Sequence, residues 1–146
     1  MERKAFHVAL YVRDLDAAIA GYRKLLGQEP AKVRPDYAKF EIADPPVILS
    51  LNTGGEPGTV SHLGIRHPGT ADVVSEMVRV KHAEVDFLEQ KGTTCCYAKA
   101  DKFWVRDADG MPWEMYALVA DAEAETAADE TLRRFLGQET SRSEPA

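Results

Sequence analysis

FHVALYV, residues 6–12, alternates without a break: Phe6, Val8, Leu10 and Val12 fall on one side and His7, Ala9 and Tyr11 on the other. Successive side chains of a strand point to opposite faces, so this period of two predicts a half-buried strand with a histidine on its more polar side. A second stretch, SHLGIR (61–66), begins the same way. Laying HVAL (7–10) on HLGI (62–65) places His7 over His62, an offset of 62 − 7 = 55 residues.

The elements after each stretch also repeat. After the first, Asp14 can cap a helix whose apolar positions are Leu15, Ile19, Tyr22, Leu25 and Leu26, and Gly27 suits its end. Extended pieces come next at 30–34, 37–43 and 46–52, interrupted by Pro35, Asp44, Pro45 and Pro46. Beyond the TGGEPG turn, Thr70 can cap a second helix with Val73, Val74, Met77 and Val78 as its stripe. Strands are expected near 85–90, 94–98, 102–106 and 112–119. The order reads as a duplicated βαβββ unit, about 5–55 and 60–119, in one domain of residues 1–120 and of the α+β class.

From about 121 to 146 the composition turns acidic, with seven acids against three bases. Of the formal charge of −6, about −2 remains for the body. In this tail Ala128, Leu132, Phe135 and Leu136 can form one helical stripe ending at Gly137, with a disordered end beyond it; the stripe could dock on the domain or support a homodimer. No basic patch is present, so nucleic acid and anionic membranes are not expected partners. No apolar run nears the roughly 18 residues of a membrane span, and no secretory signal is evident, which predicts a cytoplasmic protein with reduced thiols.

Alternation places three chemically useful side chains. In 62–66, His62, Gly64 and Arg66 share a face; in PWEMYAL (112–118), Glu114, Tyr116 and Leu118 do. If the helices cover the apolar side, His7, His62 and Glu114 all point into the concave side of the sheet, and the repeat would bring the two histidines together at its centre. Two neutral imidazoles and a carboxylate suit divalent iron and leave coordination positions open; manganese, nickel or zinc could take the same set. The polar face of any antiparallel sheet offers such residues as ordinary solvated side chains, so both readings stand at this point. His67 is expected in a turn and His82 at the end of the second helix, outside the site.

The chain's two cysteines, Cys95 and Cys96, are adjacent within GTTCCYA (92–98). On a regular strand they would point to opposite faces. In an irregular segment they form a soft dithiol ligand suited to trivalent arsenic or cadmium rather than iron, although a free cysteine is more commonly a small core hydrophobe. Trp104 and Trp113 could line an apolar pocket or serve as core.

The duplicated βαβββ unit with His7, His62 and Glu114 on matching strands resembles the vicinal oxygen chelate superfamily of glyoxalases, bleomycin resistance proteins and dioxygenases. More narrowly, PAKVRPDYAKFEIADPP (30–46), SHLGI (61–65) and GTTCCYAKADKFWVRDADGMPWEMY (92–116) resemble the organoarsenical carbon–arsenic lyases and the cadmium-induced proteins, over about residues 5–119. The resemblance implies paired βαβββ modules forming a cupped mixed sheet with a central metal site. It further implies a detoxifying, iron(II)- and dioxygen-dependent lyase that releases arsenite from trivalent organoarsenicals such as methylarsenite. His7, His62 and Glu114 would hold the metal, and Cys95 and Cys96 would bind arsenic as thiolates. Some members carry Gln at the position of His7.

Three alternatives compete with the lyase. A cadmium- or arsenic-binding stress protein would hold its ligand without turnover. A fosfomycin thiol transferase needs cations around a phosphonate, and residues 115–132 contain no Lys or Arg before Arg133. Glyoxalase I has a fourth protein ligand at the position related to Glu114 by the repeat; matching Pro46 to Pro112 puts Ile48 there, which cannot coordinate.

Overall fold

The computed structural model describes residues 3–95 and 98–121, with the backbone alone for 90–95, 98–101 and 119–121. The expected tail helix and the disordered end lie outside the described residues. The chain folds as β1 (Ala5–Tyr11), α1 (Leu15–Leu26), β2 (Lys32–Arg34), β3 (Tyr37–Ile42), β4 (Val47–Asn52), β5 (Val60–Arg66), α2 (Thr70–His82), β6 (Leu88–Cys95), β7 (Ala98–Arg106) and β8 (Pro112–Asp121). This is βαβββ twice.

The helix ends show how local chemistry sets the boundaries. The Asp14 carboxylate accepts from the Ala17 amide at 3.1 Å, while Gly27, left-handed at φ 69, donates its N–H to the Arg23 carbonyl. At α2 the expectation of a Thr70 cap fails. The extended Gly69 is the capping position and offers no side chain, and its carbonyl accepts from the Asp72 and Val73 amides.

The second half holds three strands where four short ones were expected. Gly92 does not end a strand; instead the β6–β7 register slips between Gln90 and Thr93, so the irregularity is absorbed as a bulge within one longer strand.

All eight strands form one mixed sheet in the order β2-β3-β4-β1-β5-β8-β7-β6. At its centre β1 and β5 run antiparallel, and each is flanked by the last strand of its own module, β4 or β8, in parallel. The order is therefore symmetric about the β1–β5 seam.

Both helices cover the same face. Leu15 and Ile19 of α1 pack on Ala38, Phe40, Leu49 and Leu51; Val73 and Val80 of α2 pack on Phe103, Val105, Met115 and Ala117. Leu25, Val74 and Val78, expected in the buried stripes, are instead exposed. A helix resting on a sheet buries a single narrow line, here Leu15–Ile19–Tyr22–Leu26 and Val73–Met77–Val80. The other face is concave. Arg66 of β5 reaches Glu41 of β3, three strands away, at 3.3 Å, although flat strands would stand about 14 Å apart over that span. Among the described residues, no helix is long and apolar enough to cross a membrane.

Candidate metal centre

The ladders determine which side chains meet in the cup. His7 lies opposite Gly64, and Gly64 lies opposite Glu114, so a glycine separates the imidazole from the carboxylate in one row. His62 lies two residues from Gly64 on β5 and projects to the same face. Gly64 allows the close approach of β5 and β8: a Cβ there would stand 2.5 Å from the Glu114 carbonyl oxygen.

All three residues are buried, and one ligand atom from each lies within 4.8 Å of the others. The His7 and His62 rings stack with centroids 5.4 Å apart, and Trp104 meets His62 edge-on at 5.1 Å.

Each side chain is oriented by a neighbour. Ser61 Oγ lies 3.0 Å from His62 Nδ1, while His62 Nε2 faces Glu114 Oε1 at 3.4 Å. The Lys102 ammonium donates to Glu114 Oε2 at 2.6 Å and sits 5.7 Å from the Trp104 ring centroid. His7 hydrogen-bonds through Nδ1 with the Tyr116 hydroxyl at 2.6 Å and through Nε2 with Ser50 Oγ at 3.2 Å.

The electrostatics keep both kinds of ligand in their binding form. Burial pushes His7 down to about 3, opposed by Glu114 and assisted by the charges of His62, Lys102 and Lys39, so the imidazole is neutral at physiological pH. Burial alone would raise Glu114. The Lys102 ammonium first, then the hydrogen bond and charge of His62, outweigh it and hold the carboxyl below its usual range.

The donor set fits a first-row divalent metal. Ser61 and Lys102 each occupy one side of a residue whose other side, His62 Nε2 or Glu114 Oε1, faces the shared space, the kind of outer support that metal-binding residues commonly have.

The register also corrects the assignment of Ile48. The 55-residue offset carries Ala9 to Gly64; Ala9 lies opposite Ser50, and Gly64 opposite Glu114. The repeat therefore relates Glu114 to Ser50, whose buried hydroxyl bonds His7 rather than offering a carboxylate.

The remaining expected residues fall in different places. Cys95 is the last residue of β6, its backbone opposite Ala98, so the expected irregular segment is strand as far as Cys95; Cys96 lies outside the described residues. His82 ends α2 and is exposed. His67 leaves β5 and donates its N–H to the Tyr116 carbonyl, but it is buried rather than at a surface turn, and burial lowers its pKa. Trp104 lines the cup, whereas Trp113 packs beside the α2 core. Lys102, Ser50 and Tyr116 were not singled out for the site by sequence. Alternation along KFW, residues 102–104, would have placed Lys102 on the face of Trp104, and Tyr116 already shared a face with Glu114.

The family model for the Glyoxalase/Bleomycin resistance protein/Dioxygenase superfamily matches residues 4–115, and the chain belongs to that family. Within it, the chain is 44% identical over 126 residues to a trivalent organoarsenical cleaving enzyme of Thermomonospora curvata, covering 85% of this chain and 83% of that protein. It is also 44% identical over 117 residues to the cadmium-induced protein CadI of Mycobacterium tuberculosis, with 80% and 77% coverage. Among solved structures, the Mn(II)-bound glyoxalase from Novosphingobium aromaticivorans is similar with a TM-score of 0.60 at 20% identity, covering 85% of this chain and 41% of that one. An extradiol ring-cleaving dioxygenase from B. fuscum gives 0.62 at 18% identity, with 84% and 34% coverage. These structural likenesses concern the fold.

Proposed function

We propose that the protein is an iron(II)- and dioxygen-dependent lyase that cleaves the carbon–arsenic bond of trivalent organoarsenicals and releases arsenite. The observation that carries this reading is the buried His7–His62–Glu114 cluster at the β1–β5 seam, in a chain similar to organoarsenical cleaving enzymes.

In this reading His7, His62 and Glu114 hold the metal, and an iron(II) ion held there supplies the redox chemistry by which dioxygen is used. The protein's own groups prepare the site. Ser61 fixes the His62 ring, Tyr116 and Ser50 fix the neutral His7 ring, and Lys102 keeps Glu114 ionised. Trp104 and the sheet's curl shield the centre from water.

Cys95 and Cys96 bind the arsenic. Two sulfur–arsenic bonds form as two arsenic–hydroxyl bonds break, each thiol proton leaving with a hydroxide as water. The soft arsenic favours sulfur while the harder metal stays with nitrogen and oxygen, so the two centres do not compete for ligands.

The 44% identity to a cadmium-induced protein favours one second reading, a thiophilic binder without turnover. Protein reconstituted anaerobically with iron(II), given methylarsenite and then exposed to dioxygen, separates the two. More than one equivalent of arsenite per protein, dependent on both iron and dioxygen, supports the lyase. Stoichiometric retention without arsenite, at verified iron loading, supports the binder.

A further inference from the structure

Among the described residues, the buried charged side chains apart from histidine are Lys32, Lys39, Arg66, Lys102 and Glu114, four cations and one carboxylate. The chain as a whole carries a formal charge of −6, so the cup interior runs against the overall balance. Lys102 serves Glu114. The other three cations belong to the half of the cup built around β3.

There the charge is unevenly matched. Lys39 Nζ lies 3.0 Å from Glu41 Oε2, and Arg66 approaches the same carboxylate from across the cup at 3.3 and 3.4 Å. A good charge-assisted bond measures about 2.7–2.9 Å, so the Arg66 contacts are long. One partly exposed carboxylate is thus shared between two cations, and the third, Lys32, stands directly opposite Lys39 in the ladder. Like charges directly opposite each other disfavour a sheet, and buried cations are costly unless anions accompany them.

The position is also informative. Glu41 lies opposite Ile48, and Ile48 opposite His7; Lys39 lies opposite Ser50, whose hydroxyl bonds His7. The cluster is therefore two strands from the proposed metal ligand, about 10 Å along the sheet, a span that one aromatic ring with its two substituents bridges once the long cationic side chains reach inward. The Lys39 charge already acts on His7.

We propose that Lys32, Lys39 and Arg66 form an anion subsite that takes a carboxylate or comparable oxyanion on the organic part of the substrate. The protein then favours acid-bearing aryl arsenicals over uncharged ones of similar size. The substrate assignment rests on the carbon–arsenic cleavage reading above; the anion subsite itself can be tested apart from it.

Two measurements decide. The first is kcat/KM for arsenite release from trivalent 4-carboxyphenyl and phenyl arsenicals by ferrous wild-type, Lys39→Met and Lys32→Met proteins. The second is an NMR titration of metal-free protein with benzoate, monitoring the Arg66 Nε–H, with benzamide as the neutral control.

The expected wild-type preference for the carboxylated substrate is roughly tenfold or more, the value of one charge-assisted hydrogen bond. That ratio should fall toward one in each variant, and benzoate but not benzamide should shift Arg66. A ratio equal in wild type and both variants overturns the substrate assignment, even if benzoate binds. An unmoved Arg66 resonance overturns the anion subsite. If wild type releases no arsenite while benzoate still shifts Arg66, the cleavage reading fails and the anion subsite survives it.

Discussion

Replacing Gly64 with alanine should damage the metal centre without touching a ligand. A Cβ at this position would stand 2.5 Å from the Glu114 carbonyl oxygen and 3.2 Å from its Cβ. Ordinary contact begins at 3.4 Å, so the backbones must part by 3.4 − 2.5 = 0.9 Å. A carbonyl held in the β5–β8 ladder cannot swing aside as a flexible side chain would. Overpacking of this kind costs about 1–3 kcal/mol, or roughly 3–12 °C in Tm for a domain of this size. Because the displaced residue is Glu114, divalent-metal affinity should fall about tenfold to hundredfold, as it does when groups that orient ligands are lost.

The assay is a calorimetric metal titration beside a thermal melt, with Gly21→Ala as control. Gly21 lies in α1 with nothing within 4 Å of the added methyl, so its replacement should stabilise the helix by about 0.4–1 kcal/mol and leave metal affinity alone. A Gly64→Ala protein that melts lower but binds metal like wild type would refute the link between this glycine and the placement of Glu114.

Three further outcomes are expected. The folded protein protonates His7 only near pH 3 whereas the unfolded chain does so near 6.5, so the unfolded state binds more protons in between and stability falls as pH drops through that window. His7→Gln should remove a slope of about 1.4 kcal/mol per pH unit there, read from urea midpoints against pH. Lys102→Met leaves the buried Glu114 without its ammonium and should cost the metal-free protein about 3–5 kcal/mol, with part recovered on adding zinc; denaturation with and without metal checks this. Ser50→Glu places a carboxylate at the repeat counterpart of Glu114 and should tighten metal binding while slowing arsenite release, because a fourth protein ligand takes an open position.

The fold was legible because its signal is periodic and occurs twice. HVAL and HLGI mark the seam strands, and the Asp14 and Gly27 caps have short-range causes that a sequence shows directly. The second half read less well: Gly92 signals an irregularity, but whether it ends a strand or makes a bulge depends on the partner strand's register.

The site divided along the same line. His7, His62 and Glu114 were accessible from alternation alone, since a period of two fixes the face. Ser50 was missed because matching prolines is not the same as matching ladder partners, a difference of two residues that only the β1–β4 pairing reveals. The objection to a phosphonate-binding relative also weakens. Cations absent from 115–132 are supplied to the cup by Lys39, Arg66 and Lys102 on three other strands.

X-ray absorption at the iron and arsenic edges of one anaerobic sample, holding iron(II) and methylarsenite together, tests the central assignment most directly. The account predicts iron surrounded by nitrogen and oxygen with imidazole scattering and no sulfur, and arsenic bound to two sulfurs and one carbon. Sulfur at the iron, or arsenic without sulfur, would contradict the division of labour between His7, His62 and Glu114 on one side and Cys95 and Cys96 on the other.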